Sequence, residues 1–135
     1  SDPGVLLVER ARTLGVAIEV IPGPSALTAA VSLAGLTGNR FCFLGFAPQK
    51  KGRKTFFAGL AESDVPMVFF ESTHRILKAL DALQTFAPTA KVYLARELTK
   101  LHEELLFGTA AELTETLTSH PVKQKGEFVI IVDAR

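Results

Sequence analysis

With 135 residues, 47% hydrophobic and 21% charged, the chain has the size and balance of one compact domain, which excludes a disordered or fibrous segment. A net charge of +1 excludes a general basic field, so any contact with nucleic acid has to come from local clustering. The single Cys42 excludes an intrachain disulfide, and no run approaches the ~20 apolar residues of a membrane span, so a soluble, cytoplasmic protein is expected.

The first predicted helix has Asp2 as its cap and Pro3 in its first turn, carries Leu7, Ala11 and Leu14 on one face, and stops at Gly15. Residues 16–21 read as a short strand. A second helix starts near Ser25, with Leu27, Ala30, Val31 and Ala34 at helical spacing and Gly35 as its stop. Residues 41–46 read as a buried strand holding Cys42. A basic stretch then leads into a short helix with Phe56, Phe57 and Leu60 inward, followed by an apolar strand at 67–70. Ser72 or Thr73 is expected to cap the next helix, whose stripe is Ile76, Leu77, Leu80 and Leu83 and whose end is set by Pro88. A strand at 92–95 and another at 103–107 are expected to pair antiparallel. Thr109 and Glu112 form the T-x-x-E capping box of a last helix, and residues 128–132 are the final strand. Strands alternating with helices define an α/β domain with a mixed sheet flanked by helices.

Four segments carry polar groups suited to chemistry. The turn Ile21-Pro22-Gly23-Pro24-Ser25-Ala26 either brings backbone close to a ligand at a helix N-terminus or simply caps that helix. Lys50, Lys51, Arg53 and Lys54 lie at a helix start, where cations oppose the macrodipole; they read as phosphate-binding groups or as a solvated loop. Glu71-Ser72-Thr73-His74-Arg75 follows a strand, at the sheet edge where open α/β folds gather ligands, although a Glu71–Arg75 salt bridge with His74 exposed explains it as well. Arg96-Glu97-Leu98-Thr99-Lys100-Leu101-His102-Glu103-Glu104 also follows a strand, and an ion-pair network across a hairpin loop is its alternative reading. No dinucleotide or P-loop glycine motif, no nucleophile elbow and no metal-ligand histidine spacing is present.

These segments, in this order, resemble the motifs of the tetrapyrrole-methylase superfamily, and within it the 16S rRNA cytidine 2′-O-methyltransferases. The matching blocks are Ser1-Asp2-Pro3-Gly4, Val20-Ile21-Pro22-Gly23-Pro24-Ser25-Ala26, Phe43-Leu44-Gly45-Phe46, Phe70-Glu71-Ser72-Thr73-His74-Arg75, Ala95-Arg96-Glu97-Leu98-Thr99-Lys100 and Lys125-Gly126-Glu127-Phe128-Val129. Thr73 stands where the family usually has proline. The resemblance implies a homodimeric enzyme that binds S-adenosylmethionine between two α/β domains and acts on 16S rRNA in the small ribosomal subunit. Residues 1–21 would then be the tail of the first domain and its link, and 22–135 the C-terminal domain. The family's Pro-Ile-Gly-Asn and Asp-Ala-Gly-Thr-Pro segments are not in the chain, so on its own it is expected to be inactive and to bind the cofactor weakly or not at all.

Carried over residue by residue, the resemblance places Pro24, Ser25, Ala26, Leu44, Gly45 and Phe46 at the cofactor. It places Glu71, Arg75, Arg96 and Lys100 on the substrate side, with Lys50, Lys51, Arg53 and Lys54 at RNA phosphate. Glu97 and His74 are the candidate catalytic groups. Two alternatives remain: a corrin or porphyrin precursor methyltransferase, and a non-catalytic binding or dimerisation module.

Overall fold

The computed structural model describes residues 4–135, so the Asp2 cap and Pro3 lie outside the described residues. Five strands form one sheet: β1 (Cys42–Phe46), β2 (Met67–Ser72), β3 (Lys91–Arg96), β4 (Glu104–Gly108) and β5 (Glu127–Asp133), in the order β1-β2-β5-β3-β4. β1 runs parallel to β2, and the other pairs are antiparallel, so the sheet is mixed as expected. The central strand β5 buries residues 128–132 without interruption, because both of its faces are covered. Phe128, Ile130 and Val132 join the core on one face, while Val129 and Ile131 point to the other.

The first face is closed by α3 (Arg53–Ala61), α4 (Ile76–Phe86) and α5 (Ala110–Ser119), with α4 packed against both of the others. Phe57, Leu60, Ile76, Leu80, Leu83, Leu113 and Leu117 supply its buried side chains. α5 begins with the expected capping box: Thr109 Oγ1 accepts from the Glu112 amide at 3.3 Å, and the Glu112 carboxylate accepts from the Thr109 amide at 2.7 Å. The second face is covered by α2 (Ala26–Ala34), which ends on left-handed Gly35 and buries Ala30.

Three expectations need correction, and a fourth, the first helix, holds without a buried face. Residues 16–21 form no strand, and Val20 and Ile21 are 86% and 92% exposed, because no neighbouring chain offers them a ladder and β propensity is realised only by pairing. α1 (Val5–Thr13) does form, with Gly15 at φ 71, but it buries nothing, and Leu7 and Leu14 stay 74% and 61% exposed. β1 is an edge strand rather than a buried one, leaving Cys42 half-buried and Phe43 and Phe46 exposed. Neither Ser72 nor Thr73 caps α4 through its side chain: a 3-10 turn, Thr73–Arg75, intervenes, and the Thr73 hydroxyl is used elsewhere.

Candidate active site

The carboxyl ends of β1, β2 and β3 and the start of β5 meet at one edge of the sheet, where Ser72 pairs with Glu127 and Arg96 with Phe128. A cavity of about 390 Å³ opens there, lined by Ala26 from the start of α2, Phe46, Phe70, Glu71, Ser72 and residues 127–129. The wall is built by a bulge. Three residues of β1 pass from Phe43 to Phe46 while β2 advances two, and Gly45 takes φ 69, a conformation that favours glycine. Leu44 packs toward the core, and Phe46 meets the Phe70 ring edge-on at 5.3 Å. Among the residues expected at the cofactor, Ala26 and Phe46 therefore line the cavity, Leu44 and Gly45 shape it from behind, and Pro24 and Ser25 are exposed beside it. Ser25 makes no side-chain cap, which leaves the first N–H groups of α2 open.

Glu71 at the cavity wall is buried and cannot remain charged there without partners. It has three: Arg53 Nη1 donates to Oε2 at 3.0 Å, Arg75 Nε to Oε1 at 2.8 Å, and the Ser72 amide to Oε1 at 2.8 Å. Arg53 also donates to the Pro48 carbonyl at 2.9 Å and lies 4.9 Å over the Phe57 ring. The basic stretch is thus divided. Arg53 turns inward and pins the loop to the cavity wall, whereas Lys50, Lys51 and Lys54 are exposed and make no side-chain bond or ion pair among the described residues. His74 is exposed, its ring equally free, so the salt-bridge reading of this segment describes Glu71, Arg75 and His74.

Arg96 is 7% exposed and ties the strand end together, donating to the carbonyls of Lys123 and His102 at 3.1 Å each and pairing with Glu104, which also meets Lys123. Glu97 sits at φ 51. Its carboxylate accepts from the Glu127 amide at 3.0 Å and from Lys100 Nζ at 3.1 Å, and Lys100 bridges on to Glu127 at 3.0 Å. The Glu127 amide, then Lys100, holds the Glu97 carboxyl below its ordinary range, which makes it a weaker base. Glu71, Arg53, Arg75, Arg96 and Lys100 are consequently engaged with the protein itself. Ser72 belongs to a segment that the sequence had singled out, whereas the lining groups Phe70, Phe128 and Val129 escaped sequence reasoning, because apolar residues in a strand look like core whichever way they face, and Glu127 carried no role of its own.

An α/β domain has a ligand-sized cavity at its strand ends, with the Pro-Gly turn beside it and a glycine bulge behind its wall; the model of the tetrapyrrole (corrin/porphyrin) methylases covers residues 1–114, and the chain belongs to that family. Within it, the chain is 45% identical over 134 residues to ribosomal RNA small subunit methyltransferase I of Xylella fastidiosa, covering 98% of this chain and 49% of that protein. It is 38% identical to the protein of that name from Thermotoga maritima, over 100% of this chain and 60% of that one. The chain spans about half the length of the curated relatives it matches. Among solved structures, cobalt precorrin-4 methyltransferase superposes with a TM-score of 0.68 at 17% identity, covering 97% of this chain and 58% of that one. The methyltransferase CobJ gives 0.65 at 22%, covering 98% and 61%. At those identities the likeness concerns the fold.

Proposed function

We propose that the chain is the C-terminal domain of an S-adenosylmethionine-dependent methyltransferase that modifies a cytidine ribose 2′-OH of 16S rRNA in the small ribosomal subunit, with residues 1–21 as the link from a preceding domain. The names of its relatives support the activity and the rRNA substrate. The exposed apolar side chains of 16–21 and α1 are consistent with a link that packs on something other than this domain. Homodimerisation belongs to the same proposal and rests on the family alone.

The cavity fits the donor. Its volume lies in the range of ~300–1,000 Å³ usual for small-molecule sites, its wall is apolar and aromatic enough to take a flat heterocycle, and α2 starts at the cavity through Ala26 without a side-chain cap, so its first N–H groups are open to a polar or anionic group. Ala26 and Phe46 would hold it, with Pro24 and Ser25 at the mouth. When bound, S-adenosylmethionine supplies an electrophilic methyl group. The task of this chain is then to hold donor and ribose in line, and to exclude water from the aromatic wall. His74, exposed at this strand end with no side-chain partner among the described residues, is the candidate catalytic group that the proposal retains.

One observation carries the rRNA assignment: Arg53 anchors the basic loop to the cavity wall through Glu71, so that Lys50, Lys51 and Lys54 are presented unpaired beside the pocket. In the full-length protein, replacing these three lysines by glutamine while keeping Arg53 should weaken rRNA binding. The slope of log K against log salt should fall by about 0.7–0.9 for each phosphate that is no longer neutralised, with donor affinity unchanged. An unaltered slope and affinity would make the loop a solvated surface.

A further inference from the structure

Three segments that are far apart in the chain close on one glycine. Thr73 Oγ1 donates to the Gly126 carbonyl at 2.5 Å and accepts from the Gly126 amide at 2.9 Å, so one hydroxyl satisfies both backbone groups of that residue. On its other side Gly126, at φ 113, is covered by the Glu97 side chain: a Cβ added there would lie 2.5 Å from Glu97 Cγ and 2.7 Å from its Cδ and Oε1. Glu97 in turn accepts from the Glu127 amide, and the Glu97 amide donates to the Glu127 carbonyl at 3.1 Å. Residues 127–129, which begin at this point, form one side of the cavity, and Ser72, which precedes Thr73, lies on the same wall.

We infer that Thr73, Gly126 and Glu97 form a clamp that sets the position of residues 127–129 against β2, and that Thr73 and Glu97 are positioning residues of the donor pocket. Glu97 thereby leaves the list of proton acceptors, because both its carboxylate and its backbone are committed to holding Glu127. Thr73 does with its hydroxyl what a proline at that position could not do. Without these bonds, the start of β5 would be held at this end mainly by its ladders to β2 and β3, which stop at Ser72–Glu127 and Arg96–Phe128, and the cavity would lose its fixed width.

The inference rests on this cavity being the donor site, so its test needs one reading that does not depend on the donor. In the full-length protein, Thr73→Val keeps the shape and removes both bonds, whereas Thr73→Ser keeps them. Amide hydrogen exchange at Gly126 and Glu127 should speed up in Thr73→Val and stay slow in Thr73→Ser. S-adenosylmethionine affinity by calorimetry should fall about 2- to 10-fold in Thr73→Val, the worth of about one hydrogen bond, and recover in Thr73→Ser. Glu97→Gln can still accept from the Glu127 amide but loses the ion pair with Lys100, so its effect should appear as weaker donor binding with an unchanged pH profile, where loss of a general base costs about 100- to 10,000-fold in turnover. Faster exchange with unchanged donor affinity would overturn the positioning role, and loss of turnover in Glu97→Gln with normal donor binding would restore Glu97 as the base. If the unaltered protein takes up no donor while exchange responds to Thr73→Val as expected, the donor reading of the cavity fails and the positioning role falls with it.

Discussion

The two faces of the sheet are built to different standards. Among the described residues, eighteen buried side chains from α3, α4, α5, the strands and the loops that adjoin them form one cluster on the first face, against five on the face that α2 covers. On that second face aromatic rings reach solvent at both margins, Phe43 and Phe46 beside β2 and Phe107 on β4, and Phe46 with Phe70 walls the cavity. The contrast separates two tasks. One face supplies the apolar burial that holds a mixed sheet together, while the other is left open enough to build a site at the strand ends.

If the closed face carries stability, truncating its centre should have the largest effect. Leu80 on α4 is fully buried, so Leu80→Ala should destabilise the domain by about 2–5 kcal/mol, through lost transfer energy and the cavity left behind. Urea unfolding would measure this, and a loss below about 1 kcal/mol would break the comparison. The open face should respond less. α2 docks with Ala30 fully buried, and Ala30→Gly removes one methyl, worth about 0.8 kcal/mol, and adds about 1 kcal/mol of helix propensity cost. The expected loss of about 1–2 kcal/mol should leave α3, α4 and α5 protected in hydrogen exchange. Simultaneous loss of protection on both faces would show that the two are one cooperative unit.

Much of the closed face was legible. Helical spacing of Ile76, Leu77, Leu80 and Leu83, the Thr109–Glu112 capping box and the unbroken run at 128–132 are local signals that the fold did not need to override. Residues 16–21 misled because a strand is a relation between two segments of backbone, and β propensity cannot supply the missing neighbour. In the site, Glu71–Arg75 was legible at four residues' distance. That Arg53 and not a neighbouring lysine turns inward was not, since its acceptor lies eighteen residues away on another element. The clamp at Gly126 was further out of reach. It joins residues 73, 97 and 126, and only the order β2-β5-β3 brings their strand ends together.

The smallest effect is expected at the margin of the open face. Phe107 on the edge strand β4 is 75% exposed and rests on Tyr93 with ring centroids 6.3 Å apart, near the outer limit of about 7 Å for aromatic pairs. Phe107→Thr keeps a β-branched residue in the strand and gives up little buried area, so unfolding free energy should change by no more than about 0.5 kcal/mol. Its partner strand would still be held by β5 on the other side, and β4 by the remaining ladder to β3. A loss above about 1 kcal/mol would mean that the Tyr93–Phe107 pair closes this margin in the way α3, α4 and α5 close the opposite face, and the division of labour between the two faces would not hold.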